Sequence, residues 1–172
     1  SRGCPYKCIF CSTTQLWNKV RYFSIGRIIQ EIENLVFNYK VGHIQIFDDL
    51  FTINKNRLQQ FAEEFRGRSL HKRVKLTCQA RANLVDDELC LILKSINVKI
   101  VGFGFESGNE RVLKFLKCGL VTVEQNKRAI QICVKHGLKV VGSLIFGAPT
   151  ETLEEMKETI EFIDFTKKAG AD

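Results

Sequence analysis

Short continuous apolar runs alternate with stretches of helical periodicity along this chain, and that alternation restricts its fold more than any other feature. Residues 44–47, 74–79, 100–105 and 138–146 read as strands. Elsewhere, apolar residues fall three and four apart. Ile25, Ile28, Ile29, Ile32, Leu35 and Val36 follow Ser24, Leu58, Phe61, Ala62 and Phe65 follow Asn54, and Leu89, Ile92, Leu93 and Ile96 follow Asp86. Ser, Asn and Asp accept from the first free N–H groups of a helix, so each marks a start. Helical residues resume from about Glu110. Two capping-box pairs, Thr122 with Gln125 and Thr152 with Glu155, open further helices. The last is expected to bury Leu153, Met156, Ile160 and Ile163.

Near-continuous apolar strands joined through helices imply a parallel sheet covered by helices. Right-handed crossovers leave an open doubly wound sheet or a barrel. The strand ends help to choose. Residues 44–47 run into Asp48 and Asp49, 74–79 into Arg81, 100–105 into Glu106, and 138–146 into Gly147. Parallel α/β folds build their sites at those ends. No glycine-rich dinucleotide turn follows any strand, so a barrel or partial barrel fits better.

The 172 residues, 45% hydrophobic and 26% charged, suit one globular domain with a real core. No apolar run approaches the roughly 20 residues that cross a bilayer, and no leader pattern opens the chain, so a cytoplasmic protein with no membrane partner is expected. The chain begins at Ser1 and its only methionine is Met156, which points to a start inside a longer product. Net charge is +7 from 26 basic and 19 acidic residues. The bases form no stripe and alternate with acids beyond residue 60, so nucleic acid is not an expected partner.

Seven cysteines are distributed unevenly. Cys78, Cys90, Cys118 and Cys133 are scattered and are expected in or near the core, where free cysteine acts as a small hydrophobe. Cys4, Cys8 and Cys11 share one loop, and three thiolates within eight residues can converge on one soft-metal centre. Structural zinc wants four ligands, and His43, His71 and His136 stand alone. A ferredoxin-type cluster wants four cysteines differently spaced, and a thioredoxin-like site uses one pair. Three ligands on a four-iron cluster would leave one iron open to a cofactor, as open catalytic metal sites are.

The C-x3-C-x2-C spacing, with Phe10 before the last cysteine, resembles the radical S-adenosylmethionine (radical SAM) superfamily. So do Ile46-Phe47-Asp48-Asp49-Leu50-Phe51-Thr52, Gln79-Ala80-Arg81-Ala82-Asn83, Gly102-Phe103-Gly104-Phe105-Glu106-Ser107-Gly108 and Gly147-Ala148-Pro149-Thr150-Glu151-Thr152. They look like successive signatures of a branch that includes cobalamin-associated radical enzymes and methylthiotransferases. Asn83, Asn97 and Thr150 depart from it, standing where Asp, Gly and Gly are usual.

The resemblance implies an α/β fold that is a truncated, TIM-type (β/α)6 barrel of parallel strands with outer helices. Residues 1–172 would be the radical SAM core, lacking the first and last barrel strands. It implies a [4Fe–4S] cluster on Cys4, Cys8 and Cys11 that reductively cleaves S-adenosylmethionine to a 5′-deoxyadenosyl radical, which acts on a small or macromolecular substrate. Methyl transfer, other group transfer and oxidoreduction all remain open as the reaction. A low-potential electron donor of flavodoxin or ferredoxin type is the implied partner. Cobalamin would come through an upstream domain.

Phe10 would pack near the adenine, or pack the loop. Asp48 and Asp49 sit where the family contacts the methionine amino group, through backbone carbonyl or carboxylate oxygens. Arg81 would pair with the cofactor carboxylate and Glu106 with its ribose or aminoacyl part, unless both serve a salt bridge across the barrel mouth. Gly147 would let the backbone approach the adenine, or simply turn the chain. The alternative function is an iron–sulfur electron-transfer or binding module without S-adenosylmethionine chemistry. The polar strand-end set argues against that module, because an electron carrier needs no such constellation.

Overall fold

Residues 1–17 and 19–171 are described in this computed structural model, Thr14 by its backbone alone. Strands β1 (His43–Gln45), β2 (Lys75–Ala80), β3 (Val98–Glu106) and β4 (Lys139–Leu144) lie side by side in chain order, every pair parallel. Helices α1 (Thr13–Leu16) and α2 (Ile25–Phe37) precede β1. Helix α3 (Lys55–Gly67) joins β1 to β2, and α4 (Asp87–Ser95) joins β2 to β3. Helices α5 (Glu110–Lys117) and α6 (Val123–Lys135) lie between β3 and β4, and α7 (Leu153–Lys168) follows β4. A doubly wound sheet reverses its strand order at a switch point. This one does not, and it is an unclosed arc of a barrel.

Strand β3 explains the two faces of the sheet. Val101, Phe103 and Phe105 are buried in the main core, where Phe105 meets Phe162 of α7 edge-on at 5.4 Å. Gly102 and Gly104 alternate with them and turn the opposite way. A Cβ on Gly102 would lie 2.5 Å from the Gln79 amide, and one on Gly104 would lie 2.2 Å from Glu106 Oε1. The glycines therefore make room for long polar side chains on the inner face.

The local start signals act as expected. Ser24, Asn54 and Asp86 accept from Arg27, Arg57 and Leu89 N–H, and both capping boxes form. Asn97 takes φ +63°, the left-handed conformation that Asn tolerates in place of Gly.

Several boundaries and faces differ. The first strand stops at Gln45, although Ile46 N–H still reaches Thr77 O at 2.8 Å. The last ends at Leu144 rather than 146, because the β3–β4 register shifts between Gly104 and Glu106. On α7, Leu153 and Ile160 are exposed, while Thr159 and Phe162 are buried. Gly108 decides this. Its N–H donates to Thr159 Oγ1 at 3.0 Å, and its missing Cβ admits Phe162 and the Glu158 carbonyl. Cys78, Cys90 and Cys133 are buried, but Cys118 is exposed, at φ +54° just past α5.

Candidate functional site

An open cavity of about 200 Å³ lies at the C-terminal ends of the strands, and Cys4, Cys8 and Cys11 all line it. The loop carrying them is tied down at its base. Arg2 and Arg21 exchange two backbone hydrogen bonds, at 2.9 and 2.8 Å. Gly3, at φ +94°, presses so close to Lys19 that a Cβ would fall 2.6 Å from its carbonyl oxygen. At the tip, Ile9 N–H donates to Leu116 O at 3.1 Å and Cys118 Sγ–H to Lys7 O at 2.9 Å. Burial pushes the Cys4 thiol up from its ordinary 9.0, against a backbone hydrogen bond at Tyr6 that lowers it.

Neighbouring Asp48 and Asp49 part company. Asp49 lines the cavity and spans the cysteine loop, accepting from Gly3 N–H at 2.7 Å and from the Thr13 hydroxyl at 2.8 Å. Asp48 points elsewhere, accepting from the Ser1 backbone nitrogen at 2.7 Å and the Ser1 hydroxyl at 2.6 Å, and does not line the cavity.

Arg81 is 7% exposed and stacks its guanidinium 3.8 Å above the Tyr6 ring. Its Nε donates to Asn83 Oδ1 at 3.1 Å and its Nη1 to Cys8 Sγ at 3.4 Å. Its Nη2 is buried with no hydrogen-bond partner. An unpaired guanidinium donor costs desolvation energy, so Arg81 brings to the cavity wall a cation with one hydrogen bond unmade.

Glu106 is buried at φ +63°, a backbone conformation that a non-glycine residue holds only against strain. Its ion-pair partner is Lys117, at 2.9 Å, and not Arg81. Lys117 also donates to Gly104 O at 2.9 Å and sits 5.9 Å from the Phe10 ring. Sequence reasoning missed Lys117, which lines the cavity from the last turn of α5. The signal was the Gly102-x-Gly104-x-Glu106 spacing, which leaves inner-face volume for a long cation. Gln79, another cavity residue, was likewise not singled out.

Phe10 lines the cavity and is 45% exposed. Gly147 does not line it. It turns the chain at φ +76°, its N–H and that of Ala148 held by Glu151 Oε2 at 2.6 and 3.0 Å.

Among the described residues, no three His, Cys, Asp or Glu side chains gather tightly enough to hold a single metal ion. A cubane cluster is held differently, by thiolates spread around its outside. Three thiols facing one cavity beside an unpartnered cationic donor therefore fit a cluster with an anionic ligand.

Residues 1–163 match the family described as the radical SAM superfamily. The chain belongs to that superfamily. It is 35% identical over 163 residues to an uncharacterized methyltransferase of Pyrococcus horikoshii, covering 94% of this chain and 35% of that protein. It is 31% identical over 159 residues to the anaerobic magnesium-protoporphyrin IX monomethyl ester cyclase of Rubrivivax gelatinosus, covering 92% and 28%. Among solved structures, the radical S-adenosylmethionine methyltransferase TsrM from Kitasatospora setae superposes with a TM-score of 0.82 at 19% identity, over 96% of this chain and 33% of that one. The radical SAM chain thus spans about a third of the length of these curated relatives.

Radical SAM domains carry a [4Fe–4S] cluster and S-adenosylmethionine, and the barrel-like parallel fold is shared with TsrM.

Proposed function

We propose that Cys4, Cys8 and Cys11 hold a [4Fe–4S] cluster and that the cavity beside them receives S-adenosylmethionine. One observation carries this reading: all three cysteines line one cavity together with Arg81, whose Nη2 is buried without a hydrogen-bond partner. When bound, the cluster and cofactor supply reductive cleavage of a carbon–sulfur bond, yielding methionine and a 5′-deoxyadenosyl radical.

The chain's own residues bind and orient. Arg81 takes the cofactor carboxylate through Nη2 while Tyr6 supports the guanidinium from one face. Asn83, where the branch usually has Asp, accepts from Arg81 without neutralising it. Lys117, at 2.9 Å, holds the Glu106 side chain along the inner face, toward the ribose or aminoacyl part. Phe10 offers an exposed ring to the adenine. Asp48 and Gly147, turned elsewhere, reach the cofactor only through their backbones.

For the whole protein, relatives that are methyltransferases and a cyclase support a group-transfer or ring-forming reaction. TsrM is a radical S-adenosylmethionine methyltransferase with cobalamin bound, and here cobalamin would come through a domain upstream of these residues. A low-potential flavodoxin or ferredoxin is the electron source this chemistry needs. Thiolates meant for iron want a reducing compartment, which argues for the cytoplasm. Among the described residues, no helix is long and apolar enough to cross a membrane.

The test is anaerobic reconstitution followed by reduction with S-adenosylmethionine present. About four irons per chain and release of 5′-deoxyadenosine are expected. Ala at Cys4, Cys8 or Cys11 should abolish both, whereas Ala at Cys78, Cys90, Cys118 or Cys133 should spare the iron. An iron-loaded chain that leaves S-adenosylmethionine intact would instead make it an electron carrier.

A further inference from the structure

Asp49 reaches both flanks of the cysteine loop with one carboxylate. Oδ2 accepts from Gly3 N–H, one residue before Cys4, and Oδ1 from the Thr13 hydroxyl, two residues after Cys11. We propose that Asp49 is the positioning residue that closes the cysteine loop before any cluster arrives, and that its charge tunes the cluster afterwards. The proposal rests on the cluster reading above but is separable from it, because neither hydrogen bond of Asp49 involves a cysteine.

The physical case begins with the loop itself. Thr13 lies ten positions beyond Gly3, and an untied segment of that length would pay its ordering entropy at the moment of metal binding. A side chain that joins the two ends prepays that cost, which is how preorganisation raises affinity. Asp49 suits the task because it is short, with few rotamers to lose. Its own position is also fixed. Leu50, next in the chain, is 4% exposed, so the turn after β1 is anchored in packed structure. Gly3 cannot shift away, since it is already wedged against the Lys19 carbonyl.

Both carboxylate oxygens are thus engaged with the protein. Of the two routes expected to the methionine amino group, backbone carbonyl or carboxylate, this leaves Asp49 its backbone carbonyl. The same geometry keeps a negative charge beside the thiolates, and nearby charge and hydrogen bonding set the potential of an iron–sulfur cluster. An anion so close favours the oxidised form and lowers the potential.

Three variants separate closure from charge. Asp49→Ala removes both contacts. Asp49→Asn keeps both, because its amide oxygen accepts from Gly3 while its NH2 donates to the Thr13 hydroxyl, and only the charge is lost. Thr13→Val removes one contact without touching Asp49.

Hydrogen exchange is followed on the iron-free full protein, with circular dichroism to confirm that each variant folds. Amides of residues 3–11 should exchange about tenfold or more faster in Asp49→Ala, the loss expected for charged hydrogen bonds. Thr13→Val should fall between, and Asp49→Asn should stay close to wild type. After anaerobic reconstitution, Asp49→Ala should hold less iron, while Asp49→Asn should load fully with a more positive midpoint potential. Wild-type exchange and iron content in Asp49→Ala would overturn the proposal, as would an Asp49→Asn variant as loose as Asp49→Ala. Wild-type protein that takes up no iron would sink the cluster reading, and the exchange rates would still decide the closure.

Discussion

Glu106 and Lys117 face each other at 2.9 Å with both side chains only 8% exposed, so removing either charge alone strands the other in a poorly solvated place. Lys117→Met should therefore cost about 3–5 kcal/mol of stability in denaturant unfolding. Adding Glu106→Gln should restore part of it, a coupling of about 1 kcal/mol or more. Strictly additive costs would mean that solvent screens the pair. Arg81 is proposed for ligand binding instead. Arg81→Ala should weaken S-adenosylmethionine binding by about 1–3 kcal/mol in calorimetry, with iron content unchanged. Unaltered affinity would reduce Arg81 to a support for Tyr6 and Cys8. The cysteines, Arg81 and Glu106 were legible in the sequence because each is a distinctive residue in a loop or at a strand end. Lys117 was not, because a lysine in the last turn of a helix is also what the helix dipole favours.

At the scale of elements, helix starts were legible because a cap is a local bargain among four neighbouring residues. The buried face of α7 was not, because Gly108, about fifty positions earlier, selects Thr159 and Phe162 over Leu153 and Ile160. The same helix carries an acid-sensitive tie. Arg111 of α5 grips Glu155, and the Thr152 N–H adds to it, holding the carboxyl down to about 2 from an ordinary 4.5. A depressed folded value means that the tie contributes fully above pH 4.5 and is lost as the pH falls from 4.5 toward 2. Asp87, held at about 2 by Lys135 and His136 against an ordinary 3.8, behaves alike across the α4–α6 contact. Glu155→Gln should flatten the decline of stability with acid in that window, measured by urea unfolding at stepped pH. A wild-type slope in the variant would show the tie to be fully screened.

For the whole molecule, alternation announced a parallel sheet, the strand ends and the missing glycine-rich turn favoured a barrel, and chain-order pairing of four strands agrees with both. How the sheet is flanked was not legible, because edge pairing depends on segments distant in sequence. The outer edges of β1 and β4 have no strand partner among the described residues, and an apolar groove lined by Phe23, Ile28, Ile32, Leu35 and Ile44 runs beside β1. Unpaired edges beside apolar surface invite association. We expect these 172 residues, expressed alone, to form loose oligomers. Adding about 10–30 native residues at each end, the size of a strand with its connection, should give a monomer with slowed exchange in β1 and β4. Size-exclusion and hydrogen exchange on both lengths decide it. A monodisperse short form with slow edges would show that the core closes unaided.

The order of synthesis gives the loop's anchors a further meaning. The three cysteines are made first, yet Asp49 lies 46 positions beyond its partner Gly3, and Cys118 lies 111 beyond Lys7. At about 5–20 residues per second, the nascent thiols wait on the order of 5–20 s before the last of these anchors is translated. Until then the ribosome displays three soft nucleophiles on an unbraced chain. On the proposed cluster reading, iron delivered in that interval would meet a loop without its walls, and maturation factors that wait for translation to pass α5 would meet it braced.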